Sequence, residues 1–210
     1  MSITRIKICG ISRVEDALYA EKLGVDTIGL VFYKKSPRNV SIEQALEIAA
    51  SLGGMMGVVG LFHNAIDDEV WSVLEELPQL LPQFHGDEPP EFCEQFSRPY
   101  IKAFGMGQDQ TPQVSLINDY QQAAAILLDA NVPGEMGGTG HSFDWSRIPD
   151  GINKPLILAG GLNCANVVPA IQQVRPYAVD VSSGVESERG IKDQALMKEF
   201  VQKVRGLDDE

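Results

Sequence analysis

The chain has 210 residues, and its 17 basic against 29 acidic side chains give a formal net charge of −12. Hydrophobic residues make up 44% and charged residues 22%, values close to the globular average that exclude wholesale disorder. The negative charge disfavours nucleic acid and anionic membranes as partners, because both repel an acidic chain at long range. The longest apolar stretch, from Ala49 to Phe62, is too short to span a bilayer.

Short apolar runs alternate with amphipathic segments along the chain. We predict eight strands: Thr4–Cys9, Thr27–Tyr33, Gly57–Phe62, Leu80–His85, Tyr100–Phe104, Ala124–Asp129, Leu156–Ala159 and Ala178–Ser182. A strand, a helix and two short loops need about 25 residues. Eight such units need roughly 200 residues, which is nearly the whole chain.

Residues 1–206 are therefore predicted to form one α/β domain, a single (β/α)8 TIM barrel, and residues 207–210 a short acidic C-terminal end. The competing fold is an open doubly wound sheet. Its glycine-rich GxGxxG turn is absent, because the first predicted strand is followed by Gly10-Ile11-Ser12.

Helix start signals follow several of the predicted strands. Two serines have the spacing of a capping box, Ser12 with Glu15 and Ser41 with Gln44. Asn64 and Asn163 are predicted to begin two further helices. The segments 108–122 and 143–150 have only weak helical patterns.

The polar residues at the predicted strand ends are the candidate functional groups, because the active site of such a barrel lies where strands end. They are Cys9, His85, Asp129, Asp180, Ser182 and Ser183. Each has a structural alternative, since a strand-end Asp often caps a loop and a buried Cys often acts as a small hydrophobe. Their occurrence at equivalent ends of one barrel favours function.

Lys7 has the same strand parity as Cys9, so both side chains are predicted to face the barrel interior. A Lys in that position needs a carboxylate partner, and either Asp129 or Asp180 could supply it. A nearby ammonium would also lower the pKa of the Cys9 thiol from its ordinary value of about 8.5. A purely structural ion pair is the alternative.

Small residues follow the last three predicted strands, in the segments Gly137-Gly138-Thr139-Gly140, Gly160-Gly161 and Ser182-Ser183-Gly184-Val185. Glycines let backbone N–H groups approach an anion, and the loops after the seventh and eighth strands commonly bind phosphate in this fold. The basic loop Lys34–Arg38 is either a solvated loop or a fork for a carboxylate.

Metal ligation and disulfide bonding are not indicated by the residue spacing. His63, His85 and His141 have no HxH or HExxH pattern, so we expect no catalytic metal. The three cysteines are odd in number and far apart, and the N-terminal segment MSITRIKICG has no apolar core of a secretory signal. We expect free thiols and a cytoplasmic protein.

The candidate segments, taken in chain order, match the pattern of one family. They are Lys7-Ile8-Cys9-Gly10-Ile11, Phe32-Tyr33 with Ser36-Pro37-Arg38, Gln83-Phe84-His85-Gly86-Asp87-Glu88, Leu128-Asp129, Gly137-Gly138-Thr139-Gly140, Phe143-Asp144-Trp145, Leu158-Ala159-Gly160-Gly161-Leu162, Asp180 to Glu186, and Gly190-Ile191-Lys192-Asp193. From residue 6 to about 200 the chain resembles the phosphoribosylanthranilate isomerases of tryptophan biosynthesis. One departure is Phe84, where the family usually has Leu; alternation predicts that this side chain faces the helices and changes packing only.

The resemblance implies an enzyme without cofactor or metal that catalyses an Amadori rearrangement. N-(5′-phosphoribosyl)anthranilate would become 1-(2-carboxyphenylamino)-1-deoxyribulose 5-phosphate. The chemistry needs a general acid at the ring oxygen and a general base at C2′, and by the resemblance these are Asp129 and Cys9. The two roles call for a raised pKa at Asp129 and a lowered pKa at Cys9.

The same resemblance implies the binding residues. Arg38 would hold the anthranilate carboxylate, Asp180 a ribose hydroxyl, and His85 would line the pocket. The phosphate would lie against Gly138, Gly160, Gly161, Ser183 and Gly184. The expected partner is a small phosphosugar substrate, and the protein is expected to be a monomer or a homodimer.

Three other functions compete with this interpretation. They are another phosphosugar isomerase, a lyase such as indole-glycerol-phosphate synthase, and a non-catalytic ligand-binding barrel. Lyases of that kind rely on Lys and Glu, whereas the strand ends here carry Cys9 and Asp129. The presence of both residues also disfavours a binding protein without catalysis.

Overall fold

Eight parallel strands close into a barrel in the computed structural model, which describes residues 3–107, 111–130 and 142–207. Neighbouring strands pair in sequence order, and β8 pairs with β1 to complete the ring. The strands are β1 Arg5–Cys9, β2 Thr27–Val31, β3 Gly57–Phe62, β4 Leu81–Phe84, β5 Tyr100–Gly105, β6 Ala123–Asp129, β7 Leu156–Leu158 and β8 Ala178–Val181. The predicted (β/α)8 barrel is confirmed. Apart from Leu207, the predicted acidic end lies outside the described residues.

Helices connect the strands and surround the barrel. They are α1 Val14–Lys22, α2 Ile42–Ser51, α3 Asp67–Glu76, α4 Pro90–Glu94, α5 Val114–Asn118, α6 Val167–Val174 and α7 Gln194–Arg205, with short 3-10 helices at Trp145–Arg147 and Ser183–Val185. The loop between β8 and α7 also contains an antiparallel hairpin of β9 Glu186–Glu188 and β10 Ile191–Lys192, which we did not predict. Within the described ranges, no helix is long and apolar enough to cross a membrane.

One of the two predicted capping boxes is present. The Ser41 hydroxyl accepts a hydrogen bond from the Gln44 backbone, and the Gln44 side chain accepts one from the Ser41 backbone. The prediction of a capping box at Ser12 is wrong, because α1 begins at Val14 without a side-chain cap. The Ser12 hydroxyl instead donates to the Gly190 carbonyl, 2.8 Å away, and so joins the hairpin to α1.

The two helices predicted to begin at asparagines begin later. Asn64 lies three residues before α3 with φ of 49°, and its amide oxygen accepts from the Asp87 backbone at 2.7 Å. Asn163 caps a turn before α6, where its side chain accepts from the Ala165 backbone at 2.8 Å. Both asparagines therefore support loops at the carboxyl end of the barrel.

The barrel interior contains an apolar layer, and buried polar side chains lie towards the carboxyl ends of the strands. Its apolar layer contains Val59, Leu81, Ile101, Ala103, Ala125, Leu127, Ile157, Ala159 and Ala178. Gln83 and Asp180 come two residues after members of this layer on β4 and β8, and Lys7 lies beside Asp180 on β1; all three side chains are buried. A second core lies between strands and helices, where the Phe84 ring packs on Phe96 as expected.

A buried ion pair outside the barrel interior supports the β4 loop. Lys102 Nζ lies 3.0 Å from a Glu88 carboxylate oxygen and donates to the Gly86 carbonyl. Glu88 also accepts from the backbone nitrogens of Asn64 and Gly86. The pair therefore ties the loops after β3 and β4 to strand β5, and it holds the backbone next to His85.

Candidate active site

The residues predicted at strand ends come together at the carboxyl end of the barrel. Cys9 ends β1, Asp129 ends β6, His85 follows β4 and Asp180 lies near the end of β8. His85 Nε2 is 3.7 Å from Asp129 Oδ2. The barrel thus brings a thiol, an imidazole and two carboxylates into one site.

Lys7 pairs with Asp180 and not with Asp129. Its Nζ is 2.7 Å from Asp180 Oδ2, and both side chains are buried. The pairing follows from barrel closure, since the two residues are neighbours in the β1–β8 register. Burial raises the pKa of Asp180, against the opposing effect of the Lys7 charge, and Asp129 adds to the rise. Asp180 Oδ1 has no hydrogen-bond partner among the described residues.

Cys9 is buried beside Gly29, where a Cβ would lie 2.8 Å from its sulfur. Burial raises the pKa of the Cys9 thiol, and the charges of Lys7 and Lys192 oppose the rise without cancelling it. The expected lowering of this pKa is therefore wrong. Sequence reasoning identified the cation correctly but left out the larger cost of burying a thiolate.

We expect Cys9 to react with iodoacetamide only at alkaline pH, with a midpoint above the ordinary thiol value of about 8.5. Peptide-resolved mass spectrometry measures this rate from about pH 6 to about pH 10. The same cysteine in the urea-unfolded chain is the control. A folded-state midpoint below the unfolded one would mean that the neighbouring cations outweigh burial.

His85 is held by Gln83, which lies two residues earlier, on β4. Gln83 Nε2 lies 3.0 Å from His85 Nδ1, which places Nε2 of the ring towards Asp129. Burial, with the charge of Lys7, lowers the pKa of His85 to about 4, so the ring is neutral near pH 7. Gln83 was not among the predicted site residues, although its shared parity with His85 is a signal that identifies it.

Arg38 does not present its whole guanidinium to the site. Its Nε and Nη2 each lie 2.7 Å from a carboxylate oxygen of Glu186 on β9. Lys192 on β10 donates to the same carboxylate at 2.8 Å. Glu186 and Lys192 belong to segments that carried the family resemblance, but we assigned no role to either.

The loops after β7 and β8 approach each other and the end of β6 through glycines. Gly160 and Gly161 have positive φ angles of 81° and 64°. A Cβ on Gly160 would overlap the Ala130 backbone nitrogen, and a Cβ on Gly184 would overlap the Leu162 carbonyl oxygen. Ser183 begins the 3-10 helix that follows β8. Of the predicted phosphate-binding positions, Gly138 lies outside the described residues.

Within the described ranges, no group of three or more His, Cys, Asp or Glu side chains has the geometry of a metal site. The closed barrel, with titratable side chains at the carboxyl ends of its strands and glycine-rich loops after β7 and β8, is that of a (β/α)8-barrel enzyme. Residues 6–203 match the family described as N-(5′-phosphoribosyl)anthranilate (PRA) isomerase. The chain belongs to this family.

Curated relatives agree over nearly the full length. The chain is 55% identical over 205 residues to N-(5′-phosphoribosyl)anthranilate isomerase of Azotobacter vinelandii, covering 98% of this chain and 99% of that relative. It is 54% identical over 209 residues to the Stutzerimonas stutzeri protein of the same name, covering 99% and 100%.

Solved structures have the same fold. Phosphoribosyl anthranilate isomerase from Thermus thermophilus superposes with a TM-score of 0.86 at 36% identity, covering 97% of this chain and 100% of that one. A phosphoribosyl anthranilate isomerase in complex with reduced 1-(o-carboxyphenylamino)-1-deoxyribulose 5-phosphate gives a TM-score of 0.81 at 36% identity, covering 97% and 99%.

Proposed function

We propose that this protein converts N-(5′-phosphoribosyl)anthranilate into 1-(2-carboxyphenylamino)-1-deoxyribulose 5-phosphate in tryptophan biosynthesis. The observation that carries the proposal is the presence of Cys9 and Asp129 at the ends of β1 and β6, in a chain of the isomerase family. The complex of a similar enzyme with a reduced product analogue supports the same reaction class.

In the proposed mechanism, Asp129 protonates the ribose ring oxygen while the nitrogen lone pair forms a double bond to C1′. The ring opens to an iminium ion, which acidifies the proton on C2′. The Cys9 thiolate takes that proton and leaves an enolamine, whose protonation at C1′ and loss of the hydroxyl proton yield the ketone. Burial disfavours the Cys9 thiolate, and the charges of Lys7 and Lys192 offset only part of that cost, so the base acts from the minor deprotonated fraction of the thiol near neutral pH.

The remaining polar groups are proposed to bind the substrate. Asp180 Oδ1, which has no hydrogen-bond partner among the described residues, accepts a hydrogen bond from a ribose hydroxyl. Neutral His85 lines the pocket beside Asp129. Arg38 holds the anthranilate carboxylate. The phosphate lies against Gly138, Gly160, Gly161, Ser183 and Gly184, because close backbone approach at such loops exposes N–H groups to an anion.

A fluorescence assay tests the function directly. Phosphoribosylanthranilate is generated in situ because it is labile, and the loss of its fluorescence is followed with and without the protein. We expect a large acceleration. A folded protein that leaves the loss at the background rate would contradict the proposal and favour another phosphosugar or a binding role.

Replacing Arg38 by Ala is expected to raise KM about 10- to 100-fold with a smaller change in kcat, because a charge-assisted contact to the substrate carboxylate is lost. Steady-state kinetics on the fluorescence assay measure both constants. Lys35→Ala, in the same basic loop, is the control and is expected to leave both constants unchanged. A fall in kcat at constant KM would exclude Arg38 as a ground-state anchor.

We also propose that the protein is cytoplasmic and is a monomer or a homodimer. Cys9, Cys93 and Cys164 are free thiols, which suits a reducing compartment. A similar solved structure concerns monomers of a dimeric phosphoribosylanthranilate isomerase from Thermotoga maritima, with a TM-score of 0.80 at 35% identity. Light scattering coupled to size-exclusion chromatography measures the mass, and a larger assembly would contradict this proposal.

A further inference from the structure

Three buried charged side chains form a cluster beside Cys9. The side chains of Arg38, Glu186 and Lys192 are 8%, 4% and 0% exposed. Glu186 Oε1 lies 2.7 Å from Arg38 Nε and 2.8 Å from Lys192 Nζ, and Glu186 Oε2 lies 2.7 Å from Arg38 Nη2. Two cations share one carboxylate, so the cluster has an excess of one positive charge.

The contacts of Glu186 determine which part of Arg38 is left for a ligand. A guanidinium is a rigid plane with five N–H donors in a fixed arrangement. Glu186 takes one donor from Nε and one from Nη2, which is the whole of that edge. Three donors remain for an anion, the two N–H groups of Nη1 and the second N–H of Nη2, and the direction in which they point follows from the position of Glu186.

Glu186 is itself held in place by the β9–β10 hairpin. Lys192 Nζ, besides contacting Glu186, donates to the Ser182 carbonyl at the end of β8. The Ser12 hydroxyl binds the carbonyl of Gly190 in the turn of the hairpin. Burial would raise the pKa of Glu186, but the hydrogen bond from Arg38 and the charge of Lys192 outweigh it and lower the pKa. The carboxylate therefore stays ionised near neutral pH.

Arg38 also passes closely over the end of β1. A Cβ on Gly10 would overlap Cδ of Arg38 and lie 3.2 Å from its Cγ, so the glycine leaves space for this side chain. Gly10 has a φ of 76°, a conformation that glycine adopts without strain. The aliphatic part of Arg38 is thus confined at Gly10, while its guanidinium is confined at Glu186.

We propose that Glu186 is a positioning residue that sets the enzyme's preference for a substrate carrying a ring carboxylate. It binds one edge of Arg38 so that the other edge meets the carboxylate, and the excess charge of the cluster is neutralised by that group. This inference rests on the proposed role of Arg38 as the carboxylate anchor.

The test compares two ligands in a binding titration. One is reduced 1-(o-carboxyphenylamino)-1-deoxyribulose 5-phosphate, and the other is the same compound without the ring carboxyl group. The Glu186→Gln variant is expected to bind the carboxylate ligand about tenfold more weakly, with the Kd of the other ligand changed less than about twofold. An unchanged or increased preference overturns the proposal, because removal of a negative charge alone would strengthen attraction for a carboxylate.

Control variants separate the possible failures. Glu188→Gln removes the same charge from an exposed position on the same strand, and it is expected to keep the preference of the unmodified protein. Arg38→Met is expected to abolish the preference; if it does not, the proposed role of Arg38 fails and the inference with it. If Arg38→Met abolishes the preference and Glu186→Gln keeps it, only the role of Glu186 is overturned.

A second variant covers the case in which Glu186→Gln fails to fold. Glu186→Asp keeps the charge that neutralises the buried cations but shortens the side chain, which moves the carboxylate away from the Arg38 fork. We expect the carboxylate preference to fall in this variant as well. A folded Glu186→Asp protein with full preference overturns the proposal, since the charge would then suffice without the position.

Discussion

Replacing Cys9 by Ala is expected to lower kcat about a thousandfold, because the proposed base at C2′ is lost. The barrel should remain folded. Cys9 is small and lies at the end of β1 beside Gly29, so alanine removes a single sulfur atom without introducing new bulk. Steady-state kinetics on the fluorescence assay measure the loss, and circular dichroism checks the fold.

Cys164→Ala is the matched control for this variant. Cys164 is a half-buried thiol outside the proposed base position, and its sulfur lies 3.5 Å from the Leu196 carbonyl. It should keep kcat within about twofold of the unmodified protein, as expected of a substitution away from the reacting atoms. A Cys9→Ala protein with near-normal turnover would remove Cys9 from the mechanism.

Asp129→Asn is expected to lower kcat by about two to four orders of magnitude. Asparagine has nearly the same shape as aspartic acid, but its amide does not deliver an acidic proton to the ribose ring oxygen. The side chain lies at the end of β6, 3.7 Å from the His85 ring, so the substitution keeps the local packing. The same kinetic assay measures the effect, with thermal unfolding as the check on folding.

The control for Asp129→Asn is Asp150→Asn, an exposed carboxyl on the segment before β7. It loses the same charge, and its kcat is expected to be unchanged. A full rate in Asp129→Asn would show that another group protonates the leaving ring oxygen. His85 would be an unsuitable replacement, because a pKa of about 4 leaves it without an extra proton near pH 7.

The strands were predictable because their apolar runs reflect burial on both faces, and their number was set by the chain length. The predicted strand Gly57–Phe62 has its observed bounds, and Thr27–Tyr33 ends two residues too late. Helix starts were less predictable. Ser12 and Asn64 have the composition of caps, but distant partners in the β9–β10 turn and the β4 loop bind their side chains.

The site was predictable as a set of residues and less so as a set of contacts. Strand ends identified Cys9 and Asp129, since barrel topology alone places them together. The partner of Lys7 depended on the register between the first and last strands, which no local pattern specifies. The direction of the Cys9 pKa depended on the balance between burial and charge, which requires the folded geometry.

The contact between Gly160 and Ala130 limits how this protein can change during evolution. A side chain at position 160 would be strained by the φ of 81° and would also overlap the backbone beside Asp129. A compensating mutation that removed the steric overlap would leave the backbone strain, and one that relieved the strain would leave the overlap. We therefore expect position 160 to tolerate no substitution in selection experiments, even in strongly stabilised variants, because any mutation there would disturb the proposed phosphate loop and the proposed acid together.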